Sequence, residues 1–170
     1  MSGALSHPWY VGAWRRRSIV VPDGEPTEPC EAWWIQSVDA FVDIRVTLPG
    51  RDHNGLPYSS TRAFAGWFEI ADGESRWHVE MDSDGVVPRL DRAAARGLYM
   101  SPDEPLAMIE DAPGRFREEW VQRGDPADVE VVRHSNLIAV RVGDVVGIVH
   151  TFGDAVFGRL WEGARSITTA

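Results

Sequence analysis

Between residues 41 and 48 the chain reads Phe-Val-Asp-Ile-Arg-Val-Thr-Leu, a strict period-two alternation. Successive side chains of a strand point to opposite faces, so Val42, Ile44, Val46 and Leu48 share one face. Phe41, Asp43, Arg45 and Thr47 share the other. The aliphatic face must be buried, and this one demand leaves two arrangements open. Asp43 and Arg45 are either a solvent-exposed ion pair, or they look into a polar lumen while a helix or a second subunit covers the aliphatic face. Strand parity decides between them, and the alternation alone does not.

The rest of the chain repeats the strand rhythm. Trp9–Val21 is an extended first run, followed by the turn-rich Pro22–Pro29 and an aromatic strand, Cys30–Ser37. Pro49–Ser60 reads as a polar loop. Thr61–Ala71 and Glu74–Met81 flank Asp72-Gly73, a strong short-range hairpin signal. Pro88–Arg96 has proline at its start and Gly97 at its end, which predicts a short helix. Strands then resume at Leu98–Met100, Leu106–Asp111, Arg115–Gln122, Val129–Arg133, Leu137–Val142, Val145–Thr151 and Ala155–Trp161. About ten strands with turn punctuation and little helix predict an all-β fold, an antiparallel barrel or sandwich. No repeat, low-complexity tract or linker divides the chain, so one domain is expected over 1–170, with 1–8 a loose lead-in.

The formal charge of -9 disfavours nucleic acid and anionic membranes as partners, because both demand a basic surface. Cys30 is the only cysteine, so no intrachain disulfide and no C-x-x-C site is available. No apolar run is long enough to span a membrane, and residues 1–8 lack the features of a signal peptide. The expected location is cytoplasmic.

Gly12 and Trp14 form a Gly-x-Trp pair within the first strand, which resembles the opening of calycin barrels, the lipocalin-like superfamily. The resemblance implies an antiparallel barrel whose Trp closes one end and stacks on an arginine from the last strands. Arg159, in Phe157-Gly-Arg-Leu-Trp161, suits that place, with Arg141 second. More narrowly, Trp14-Arg-Arg-Arg-Ser-Ile19, Trp33-Trp34-Ile-Gln36 and Phe41-Val-Asp-Ile-Arg45 are similar to the Hri1-like branch of calycins. The similarity is concentrated in residues 12–45, with weaker echoes at Trp77–Asp82 and Ile109–Trp120; the stretch Asp82–Arg96 departs from it like an insertion.

Eight tryptophans are many for 170 residues, and they supply the large apolar area that ligand pockets and interfaces use. The primary expectation is a barrel binding a small hydrophobic or aromatic molecule in a Trp-lined cavity. Candidate ligand-binding residues are Trp14, Arg16, Trp34, Gln36, Asp43, Arg45, His78, Glu80, Glu110 and Trp120. Arg45 suits a carboxylate or enolate, oriented by Asp43. His78 and Glu80 share a strand face, either as an acid–base pair or as a solvated surface pair. Glu110, and Glu118 with Glu119, sit among apolar neighbours that would raise a carboxyl pKa.

The same cavity suits a metal-free isomerase, cyclase or dehydratase. No catalytic residue is assigned, and no metal-ligand spacing is present. No cofactor is expected, the minor alternative being haem on His150 in the manner of nitrobindin-like calycins. Adjacent Trp33 and Trp34 must point to opposite sides. The outward one suits a lid, a homodimer contact, or burial under a covering element.

Overall fold

The computed structural model describes residues 8–28, 30–47, 61–99 and 107–167, with the side chains of 47, 61 and 94–99 left aside. The expected lead-in before Pro8, the loop 49–60, Leu48 and Met100 lie outside the described residues. Eight strands form an up-and-down meander: β1 (Gly12–Val20), β2 (Cys30–Gln36), β3 (Ala40–Thr47), β4 (Thr61–Ala71), β5 (Glu74–Asp82), β6 (Arg89–Tyr99), β7 (Ala107–Ala112) and β8 (Phe116–Arg123). Pairing of β1 with β8 closes them into a barrel. Four more strands, β9 (Val129–His134), β10 (Leu137–Val142), β11 (Val145–Phe152) and β12 (Ala155–Glu162), form a separate antiparallel sheet.

The all-β expectation therefore holds, with twelve strands among the described residues rather than about ten. They are divided between a barrel and a sheet. The Asp72-Gly73 turn joins β4 to β5 with both φ angles positive, 55° and 74°, which matches the right-handed twist of a tight hairpin. The helix expected over 88–96 is instead β6. Its backbone pairs with β5 on one side and β7 on the other, and that ladder overrides the helix propensity of Ala93-Ala94-Ala95.

The second sheet lies on the outside of the barrel and answers the question of parity. Val42 and Ile44 of β3, with Ile35, Ala63 and Ala65, pack against Ile138, Val140, Val142, Val145 and Val149. The cover is neither a helix nor a second subunit but this chain's own β9–β12. It ends at Ile44, since Val46 is 41% exposed. Trp33, the outward member of the Trp33-Trp34 pair, belongs to the same buried cluster. With the aliphatic face sealed, Asp43 and Arg45 turn into the lumen.

Close approach of sheet to barrel is possible because Gly147 faces it. A Cβ built there would stand 2.5 Å from Val42 Cγ2 and 2.8 Å from Ile35 Cδ1. Gly147→Val should therefore lower stability by about 1–3 kcal/mol, read as a lower urea midpoint at unchanged slope. An unchanged midpoint would mean that the two layers do not meet there.

Three bulges interrupt the barrel ladders. Arg17 is the extra residue on β1, Glu80 on β5 and Gly97 on β6. On β1 and β5 the extra residue reverses the facing of the residues that follow it. Counting from Trp14 puts Arg16 and Ser18 inward; the bulge at Arg17 replaces Ser18 by Ile19. The bulge at Glu80 sends Met81 outward into the aliphatic cluster and turns Asp82 inward.

Candidate functional site

One end of the barrel is shut by aromatic rings. Trp14 is fully buried, and its Nε1 donates to the Tyr10 carbonyl at 3.0 Å as the indole folds back over Gly12. A Cβ on Gly12 would come within 2.9 Å of that nitrogen, so the Gly-x-Trp spacing follows from contact between the two residues. Trp14 stacks on Trp34 with centroids 6.2 Å apart, and Trp34 meets Trp120 and Trp77 edge-on at 6.1 and 5.6 Å.

The arginine expected over Trp14 is not supplied by the last strands. Arg159 is exposed on β12, and Arg141 is held by Asp128, Glu130 and the Gly143 carbonyl. The physical reason is that β8, not β12, closes the barrel. Arg16 of β1 comes closest to that role, with its guanidinium 5.9 Å over the Trp120 ring.

Beyond the aromatic floor lies a cavity of about 500 Å³. Trp34, Trp77, Trp120, Phe41 and Phe64 supply its apolar lining, and Asp43, Arg45, Glu110 and Glu118 its charged wall. Toward the rim stand Arg62, Arg89, Arg92, Asp84, Asp91 and Arg115, with exposed Val21 and Val86.

The charged wall is a connected network. Arg45 grips Asp43 with Nε at 2.8 Å and Nη2 at 3.1 Å, and its Nη1 lies 3.8 Å from Glu118. Arg16, with no exposed side-chain surface, donates to Glu118 at 2.5 Å and reaches Glu28 at 2.9 Å and the Cys30 Sγ at 3.0 Å. Burial alone would weaken both guanidinium charges. Asp43 and Glu118 more than reverse this for Arg45, as Glu28 and Glu118 do for Arg16. Burial pushes the Cys30 thiol up, against the pull of Arg16.

A second ion-pair group lies nearer the rim: Arg89 holds Asp82 and Asp91, and Arg62 stands 2.9 Å from Asp84. Arg45, Arg62 and Arg89 all lie within 5.1–5.6 Å of the Phe64 ring.

Glu110 is the exception in this wall. It is only 9% exposed and lines the cavity, yet its carboxyl has no hydrogen-bond or ion-pair partner among the described residues. Burial first, then the charge of Glu118, drive its pKa well above the usual carboxylate range, with Arg45 offsetting part of the effect. Trp120 Nε1 likewise meets no acceptor among the described residues.

Of the residues expected at a binding site, Trp34, Asp43, Arg45, Glu110 and Trp120 line the cavity. Trp14, Arg16 and Gln36 are inside the barrel but behind it. Gln36 accepts from Trp34 Nε1 at 2.9 Å and donates to the Ser37 carbonyl at 2.7 Å, a structural task. His78 and Glu80 do not reach the lumen, because Trp77 and Val79 take the inward positions of β5. His78 stacks on the outward Trp67 at 3.5 Å and contacts Glu69, while Glu80 pairs with Arg133.

His150 sits on β11 facing away from the barrel, stacked on Phe157 at 5.5 Å. Among the described residues no three His, Cys, Asp or Glu side chains gather as a metal site. No described helix is long and apolar enough to cross a membrane.

Ile19, Phe64, Arg62, Arg89 and Asp91 were not singled out from the sequence. Ile19 is brought inward by a bulge. Arg89 and Asp91 lie in the segment expected to be helical, where alternation around Leu90 was the available signal.

No protein-family model and no curated protein matches the sequence. Among solved structures the chain is similar to an uncharacterised protein from Bacteroides eggerthii DSM 20697, at 12% identity and a TM-score of 0.44. That match covers 67% of this chain and 99% of the other.

Proposed function

We propose that this is a calycin-like barrel that binds a small, largely aromatic or hydrophobic molecule within the lumen. The observation that carries the reading is the cavity itself. Its volume of about 500 Å³ falls in the range of small-molecule sites, and it combines an aromatic floor with a few convergent polar groups. Asp43, Arg45 and Glu118 are fixed by one another, so the polar wall is organised before any ligand arrives, which limits the ordering cost of binding. The test is a screen of aromatic acids, amines, lipids and terpenoids by tryptophan fluorescence. Saturable quenching by at least one class is expected, and a panel without effect would contradict the reading.

One observation favours a second reading, a metal-free acid–base enzyme. Glu110 and Glu118 are paired across β7 and β8, the first without a partner among the described residues and the second held by two arginines. Two carboxyl groups in unlike environments are the arrangement that separates acid from base. Catalysed deuterium exchange at the α-carbon of an aryl ketone, lost in Glu110→Gln, would support it; no exchange above buffer with any such ketone would count against it.

A further inference from the structure

We propose that the occupant of the cavity is an aromatic or hydrophobic amine, bound as its ammonium with Glu110 as counter-ion against the faces of Trp34, Trp77 and Trp120. This rests on the ligand-binding reading and names the class of ligand.

Most of the acids that line the lumen are already paired. Asp43 is taken by Arg45, Glu118 by Arg16 and Arg45, Asp91 by Arg89, and Asp84 by Arg62. The guanidiniums of Arg16 and Arg45 are thus shared among Asp43, Glu118 and Glu28, and Glu110 is a further acid with no cation partner among the described residues. The groups that face it are Glu118 from β8, Asp43 and Arg45 from β3, and Arg16 from β1; on β6 its partner across the ladder is Ala95. A cation entering the cavity gives Glu110 a partner as the carboxyl ionises, which a neutral or anionic occupant does not.

The aromatic lining points the same way. The faces of indole rings are the negative ends of their quadrupoles and attract ammonium groups, most strongly where water is excluded. The cavity offers three indoles and three phenyl rings around one carboxyl that has no partner among the described residues. No other deeply buried lumen carboxyl is free of an arginine partner among the described residues.

Binding then has a protonic signature. Burial and the neighbouring Glu118 favour the protonated carboxyl of Glu110 in the free protein. On entry of the ammonium the carboxyl ionises, an ion pair forms, and the released proton passes to solvent. The sign follows from the raised pKa: affinity for the amine should rise with pH as Glu110 ionises, and level off once it is a carboxylate, provided the amine stays charged.

The experiment is isothermal titration calorimetry of the whole chain with three probes that share one ring system: naphthylethylamine, naphthylethanol and naphthylacetate. Each is measured in two buffers of different ionisation enthalpy. The amine should bind about tenfold or more tightly than the alcohol, with the acid weakest and up to about one proton released per amine bound near neutrality. Glu110→Gln should abolish both the preference and the release.

Equal binding of amine and alcohol, tighter binding of the acid, absent proton release, or a preference that survives Glu110→Gln would each overturn the inference and leave the binding reading intact. No binding by any of the three would overturn both.

Discussion

Arg16→Ala is expected to destabilise the protein by about 3–5 kcal/mol, because it strands the Glu118 carboxylate in the barrel interior without its strongest partner. The two side chains are fully or almost fully buried and meet at 2.5 Å. The size of the loss reflects the cost of an uncompensated buried charge more than the net worth of the pair, since removing both partners together is much less harmful than removing one. Arg16→Met combined with Glu118→Leu should therefore recover most of the loss.

The next pair along the same two strands supplies the control. Arg17 and Glu119 also form an ion pair, at 2.9 Å, but on the outer surface with both side chains well exposed. Arg17→Ala should cost no more than about 1 kcal/mol. Urea unfolding of the variants reads the difference directly. Similar small losses for Arg16→Ala and Arg17→Ala would mean that β1 does not have the facing described here.

Glu110→Gln is expected to make the protein more stable near neutral pH, an unusual outcome for a buried substitution. The folded-state pKa of Glu110 lies well above the unfolded value of about 4.3, so the folded state holds a proton that the unfolded chain releases. Below the unfolded pKa both states are protonated and the group costs nothing. As pH rises above it, stability falls until the folded pKa is passed, and the penalty is constant thereafter. Glutamine carries no such penalty and keeps the shape.

The stability difference between Glu110→Gln and the parent should therefore be small in acid and grow with pH toward neutrality. A variant less stable at all pH values would show that the carboxyl has a partner it depends on. A side chain retained at a cost to stability is what a working site requires, because stability and function compete there.

The sequence and the structure agree most closely where periodicity and turn chemistry act together. The Asp72-Gly73 hairpin and the alternation of Phe41–Leu48 were both legible, since turn geometry and period two are local properties. The identity of the buried face was not. Asp43 and Arg45 turn inward because β9–β12 fold back over Val42 and Ile44, a contact made about a hundred residues downstream that no local pattern encodes.

The charged residues of β5 show the converse. His78 and Glu80 share a face as the alternation required, but Trp77 and Val79 claim the lumen, and the acid–base pair becomes a surface stack and an exposed ion pair. Bulges were the other source of error. Each adds one residue, so parity counted from Trp14 is right at Arg16 and wrong at Ser18. The misread helix at 88–96 has the same root, since local propensity favoured it and two neighbouring strands required otherwise.

That the charged face of the first strands encloses a water-poor lumen is tested most directly by carboxyl carbon NMR on protein labelled at glutamate side chains. The resonance of Glu110, assigned by its loss in Glu110→Gln, is followed through an acid-to-alkaline titration. It should move as a separate step, displaced well above the usual carboxylate range. A Glu110 that titrates with the surface acids would place it in open solvent and contradict the cavity on which the functional reading depends.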